Sequence, residues 1–74
     1  MRIISQDDNT DVSYRIASLE EGINSKGTYS IEATVFTSTI FMGEYKTEER
    51  AKEILQEIRE RYNIGSKFYV MPKE

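Results

Sequence analysis

Ala51, Ile54, Leu55, Ile58 and Tyr62 recur at i, i+3, i+4, i+7 and i+11, which lays one apolar stripe along a single helix. Thr47 stands where an N-cap hydroxyl can accept from an orphan N–H. Glu48 and Glu49 follow in the first turn, where the helix dipole favours negative charge. Asn63-Ile64-Gly65 supplies the stop, with Gly65 available for a left-handed cap. Glu48/Lys52 and Glu57/Arg61 are i,i+4 pairs that add ~0.3 kcal/mol each, while Glu49/Glu53 and Glu53/Glu57 oppose them. The helix therefore depends on docking its stripe. A lone amphipathic helix has no second helix to dock on, so strands must cover it.

The rest of the chain carries strand patterns. Residues 2–5 are short and partly β-branched, and Gln6 to Thr10 is a polar turn. Val12, Tyr14 and Ile16 alternate over residues 11–16, which makes an N-terminal hairpin. Residues 17–22 lose the alternation, and Glu20-Glu21-Gly22 reads as a turn. Asn24-Ser25-Lys26-Gly27 is a second loop signal. Tyr29, Ile31, Ala33 and Val35 form the strongest alternation; Thr37-Ser38 reads as a tight turn, and Thr39 to Tyr45 returns. Phe36 and Phe41 are candidates for a second buried face. Residues 67–71 form a last strand, closed by Pro72. The expected fold is α+β: one domain over residues 1–74, a small antiparallel sheet in β-β-β-β-α-β order, and one helix packed on a face.

A chain of 74 residues buries only roughly 60% of its unfolded surface. It has no Cys and no His, so no disulfide or Cys/His metal site staples the core. Self-association, as a homodimer or a higher oligomer, is the remaining route. The lack of cysteine fits a reducing cytoplasm. Met1-Arg2-Ile3-Ile4 is followed at once by polar residues, so no secretory signal is expected, and no apolar run approaches the ~20 residues that span a bilayer. Ten basic residues against thirteen acidic ones give a net charge of −3, which disfavours a general nucleic-acid binder.

The missing His and Cys also remove thiol and imidazole catalysis. Asp7-x-Asn9-x-Asp11 matches the first three ligands of a calcium loop, but Val12 stands where the loop needs Gly and Ser18 where it needs Glu. A solvated hairpin turn is the better reading. Hydrolysis by two carboxylates needs one held protonated in an apolar pocket; Glu32 and Glu44, both in strands, are the candidates. The four glycines match no phosphate-binding fingerprint, and no cofactor or metal is expected. Five tyrosines are many for so short a chain, and Tyr suits interfaces and stacking pockets. Tyr14 beside Arg15 could stack and hold a phosphate. Arg2, Lys67 and Tyr69 would join them if the two terminal strands are neighbours.

The opening Met-Arg-Ile-Ile-Ser-Gln-Asp with Asp11-Val12-x-Tyr14, and the later Gly43-Glu44-Tyr45-Lys46-Thr47-Glu48-Glu49-Arg50-Ala51-Lys52, resemble small proteins of unassigned role encoded by phages and prophages of Gram-positive bacteria. The closing Phe68-Tyr69-Val70-Met71-Pro72 is similar to that group's short aromatic end. Residues 16–42 lie outside the resemblance. Asp8, Ser13 and Arg15 depart from the group's Gly, Pro and Glu at those places. The resemblance implies a phage accessory protein working in the cytoplasm of the infected host, without catalytic residues to carry over.

Two functions follow. In one, a counter-defence protein sequesters a host nucleotide immune signal in a pocket between subunits, with Arg2, Arg15 and Lys67 on phosphate and Tyr14 and Tyr69 on the base. In the other, it is a protein–protein inhibitor of a host defence or regulatory protein. A carboxylate-based hydrolase is a minor third. A concave basic cluster at a subunit seam would favour the first; an exposed apolar patch would favour the second.

Overall fold

The computed structural model describes residues 1–74 as an α+β fold with six strands and one helix. β1 (Arg2–Ile4) lies between β2 (Asp11–Ser13) and β6 (Phe68–Val70) in one three-stranded sheet. β3 (Ala17–Ile23), β4 (Tyr29–Val35) and β5 (Ser38–Tyr45) form a second, antiparallel sheet. α1 (Glu48–Asn63) connects β5 to β6 and packs across β3, β4 and β5. No helix is long and apolar enough to cross a membrane.

The helix obeys its sequence. The Thr47 hydroxyl accepts from the Arg50 N–H at 3.1 Å, and Gly65 takes the left-handed φ of 83° just past the end. Ala51, Ile54 and Ile58 are fully buried, Leu55 is half-buried, and Tyr62 at the end of the stripe is exposed. The core they enter has two walls. Ile31, Ala33, Met42 and Tyr45 come from the second sheet; Ile3, Val12, Tyr69 and the following Met71 come from the first.

Several expectations are corrected. The strands form two sheets rather than one, because both edges of β1 are taken by β2 and β6, and β6 pairs parallel to it. β2 stops at Ser13, and Tyr14, Arg15 and Ile16 turn the chain into β3. Residues 17–23, where the alternation is lost and Glu20-Glu21-Gly22 reads as a turn, are a full strand. Its inward positions carry Ala17, Leu19 and Glu21, a weak apolar pattern, and its pairing with β4 rather than its own composition sets its conformation. The hairpin turn falls on Phe36-Thr37, one residue earlier than expected. Phe36 and Phe41 cover no second core: they are 89% and 50% exposed.

A bulge in β5 joins the two sheets. Ile31 pairs with Gly43 and Glu32 with Phe41, which leaves Met42 without a partner. Its side chain enters the core, and its carbonyl accepts the Gln6 N–H at 2.7 Å. Gly43 is required beside it. A Cβ there would lie 2.8 Å from the hydroxyl oxygen of Tyr45, whose ring folds back over the glycine.

Candidate functional site

The helix C-terminus and the turn after β2 meet at one end of the molecule. The rings of Tyr14 and Tyr62 lie 4.6 Å apart, tilted by 39°. Beside them a shallow groove of about 250 Å3 is lined by Tyr14, Ala17, Leu19, Leu55 and Arg59. Arg15 follows Tyr14 and is exposed. Ile16, 58% exposed, stands one step beyond the Ala17–Val35 pair, and so does Phe36 from the other strand. The two form an apolar tip. Phe36 holds a φ of 57°, a left-handed conformation that bulky side chains rarely adopt.

Main-chain bonds bring the two terminal strands to the same end. The Tyr14 N–H donates to the Met1 carbonyl at 3.0 Å, the Arg2 N–H to the Lys67 carbonyl at 2.9 Å, and the Ser66 N–H to the Arg61 carbonyl at 3.0 Å. Five of the ten cations therefore gather here: Arg2, Arg15, Arg59, Arg61 and Lys67. Arg2 is paired with Asp11, its Nε 3.1 Å from Oδ1. The other four form no ion pair. The opposite end carries six carboxylates, Asp7, Asp8, Glu44, Glu48, Glu49 and Glu74, around the helix N-terminus and the chain's last residues, set among the four cations Lys46, Arg50, Lys52 and Lys73.

Of the five residues expected to form a site, Arg2, Tyr14, Arg15 and Lys67 share this end along the main chain, but the Arg2 side chain turns to Asp11 whereas the Tyr14 ring packs on Tyr62. Tyr69 does not reach it. Its ring is in the core and its hydroxyl donates to Glu57 Oε1 at 2.6 Å, so no ring face is open for stacking. Burial first, and then the Glu57 carboxylate, push its phenol far above the ordinary 10. Arg59, Arg61, Tyr62, Ile16 and Phe36 are members that sequence reasoning missed. Tyr62 reads as core from its place on the stripe, and Phe36 from its size; the first is 39% exposed at the helix end, and the turn position exposes the second.

The acidic turn and the strand carboxylates are committed elsewhere. Asp7 Oδ1 accepts from the Ser5 hydroxyl at 2.6 Å and from the Asn9 N–H at 3.1 Å, which hold its carboxyl below the usual range. With Asp11 turned to Arg2, the three calcium-loop positions close a hairpin instead of converging on an ion. Glu44 Oε2 accepts from the Thr28 hydroxyl at 2.8 Å and from the Asn24 amide, and both lower its pKa. A carboxyl held ionised cannot be the protonated acid that hydrolysis needs. Glu32 faces outward, directly opposite Glu20.

A second hollow of about 500 Å3 lies at the acidic end, between Glu44, Tyr45, Lys46, Thr47, Arg50 and Lys73. Its cations are largely spent on the protein. Lys73 Nζ lies 2.9 Å from Asp8 Oδ2 and also reaches the Gln6 carbonyl. Arg50 pairs with Glu53, and its Nε donates to the Glu74 carbonyl at 3.0 Å. The hollow fastens the last residues to the fold.

Compared with known protein families, with curated proteins and with solved structures, the chain matches none.

Proposed function

We propose that this chain is a non-enzymatic interaction protein that docks its basic, aromatic end on an acidic surface of a partner protein. The observation that carries this reading is the apolar tip of Ile16 and Phe36, exposed beside Arg15 and the Tyr14–Tyr62 pair. Interface anchors are large apolar or aromatic groups ringed by Arg and Tyr, and this end has that composition. The unpaired cations Arg15, Arg59 and Arg61 would steer an acidic partner and suppress others. The resemblance to phage accessory proteins makes a host defence or regulatory protein, in the host cytoplasm, the partner class.

Sequestration of a nucleotide signal is the second reading, favoured by the placing of Arg2, Tyr14, Arg15 and Lys67 at one end of the fold. The groove beside Tyr14, at about 250 Å3, is below the roughly 300 Å3 of small-molecule pockets, so a nucleotide would need a second subunit to enclose it.

Native mass spectrometry on protein purified gently from host cells separates the two. The expected result is a protein partner held by the wild type and released by both Phe36→Gly and Arg15→Ala. A retained nucleotide mass that survives in Phe36→Gly and is lost in Arg15→Ala would overturn the protein-partner reading in favour of the pocket. A partner held equally by all three proteins would remove this end of the molecule from the interface.

A further inference from the structure

β6 has an open edge. Lys67 and Met71 give their main-chain bonds to β1, through Arg2 N–H to Lys67 O at 2.9 Å and Met71 N–H to Ile4 O at 2.9 Å. Odd-numbered positions thus face β1. The N–H and C=O groups of Phe68 and Val70 face away from it, and no main-chain or side-chain bond meets them. Neither proline, bulge nor inward charge interrupts this strand, and only its length of three residues limits the edge. Its outward side chains are also apolar: Phe68 is 61% and Val70 52% exposed.

We infer that the β6 edge pairs with β6 of a second copy of this chain, antiparallel and centred on Tyr69. The register is self-complementary. Phe68 falls opposite Val70 of the second copy, both as hydrogen-bonded pairs, so the four outward groups of each strand find partners at once. The β1 register places Ile4 beside Val70 and Arg2 beside Phe68. The joined sheet therefore carries a continuous row of Ile4, Val70 and the second copy's Phe68, repeated by the two-fold axis.

Charge selects the antiparallel arrangement and a second copy as occupant. β6 runs from the cation-rich end, at Lys67, toward the end where six carboxylates outnumber the four cations Lys46, Arg50, Lys52 and Lys73. Reversing one copy against the other sets Arg2, Arg61 and Lys67 alongside the acidic end of its neighbour. Three residues of edge bury much less than the roughly 1,200 Å2 of a permanent interface, so the dimer is reversible and depends on concentration. It uses none of Arg15, Ile16 or Phe36 and stands independently of the proposed partner-binding role.

Sedimentation velocity over a wide concentration series tests it, with hydrogen exchange as a residue-level readout. The wild type should pass from monomer to dimer, and added salt should weaken the dimer. Val70→Pro deletes an outward N–H and none of the bonds to β1, so it should keep its urea midpoint. It removes two of the four bonds across the axis, which raises the dissociation constant about thirtyfold. Phe68→Lys should do likewise without touching the main chain. The amides of Phe68 and Val70 should gain protection as concentration rises. A wild type that stays monomeric throughout, or a dimer in which those two amides exchange freely, overturns the proposal.

Discussion

Gln6 lays its carboxamide along the main chain of Glu44: Oε1 accepts the Glu44 N–H at 2.9 Å, and Nε2 donates to the Glu44 carbonyl at 3.1 Å. The same Nε2 also meets the carbonyls of Pro72 at 3.1 Å and Lys73 at 2.8 Å. One side chain thus replaces a short piece of strand between the end of β1, the end of β5 and the last residues of the chain. Gln6→Ala leaves the Glu44 N–H and three carbonyls without that partner, and should cost about 2 kcal/mol in urea unfolding. Gln6→Glu should cost more near neutral pH, because a carboxylate would face three carbonyl oxygens, and should recover in acid as it gains a proton to donate.

Burial raises the phenols of both Tyr69 and Tyr45; the Glu57 carboxylate adds to the rise at Tyr69, whereas Arg50 opposes it at Tyr45, which is pushed up to about 12 from 10. The unfolded chain releases those protons near pH 10, while the folded chain still holds them. Stability is therefore complete below pH 10 and should fall between pH 10 and 12. Tyr45→Phe and Tyr69→Phe should each flatten that fall by close to one proton. A slope in equilibrium unfolding that neither variant changes would place the alkaline loss elsewhere.

Phe36 occupies a left-handed position with 89% of its surface exposed, so its ring contributes little packing there. Phe36→Gly should raise stability by about 1 kcal/mol, since glycine adopts positive φ without a Cβ clash. The urea midpoint measures it. A gain in stability accompanied by loss of the partner would show that the ring is kept for binding at the expense of folding.

Glu21 points inward from β3, opposite Ile31, and its Oε2 is buried without a hydrogen bond. Glu21→Leu restores the alternation of an inward strand face and removes the unpaired oxygen. Stability should rise by about 1 kcal/mol in thermal or urea unfolding. A loss on the same scale would mean that the carboxylate is solvated in the folded protein.

Local signals were sufficient for the helix, its Thr47 cap and Gly65 stop, the β1–β2 pairing and the strong β4 strand, because each depends on residues near in sequence. β3 was illegible for the same reason: Glu21 and Gly22 break its alternation, and only β4 alongside holds it extended. The basic end was legible in part. The conditional placement of Arg2 and Lys67 beside each other holds because β6 returns parallel to β1, whereas Tyr69, on the same strand, faces the core by the alternation of a strand's two sides.

The amino-acid sequence by itself determined an α+β chain whose single helix must dock on strands, since a 3.6-residue apolar period and a two-residue period are both written locally. The tertiary structure alone decided that the strands divide into two sheets joined through Gln6 and Met42, that half of the cations and the exposed Phe36 and Tyr62 lie at one end, and that β6 is left with an open edge. Those outcomes depend on which distant segments become neighbours, and that is settled by competition for the same core and the same hydrogen-bonding edges along the whole chain.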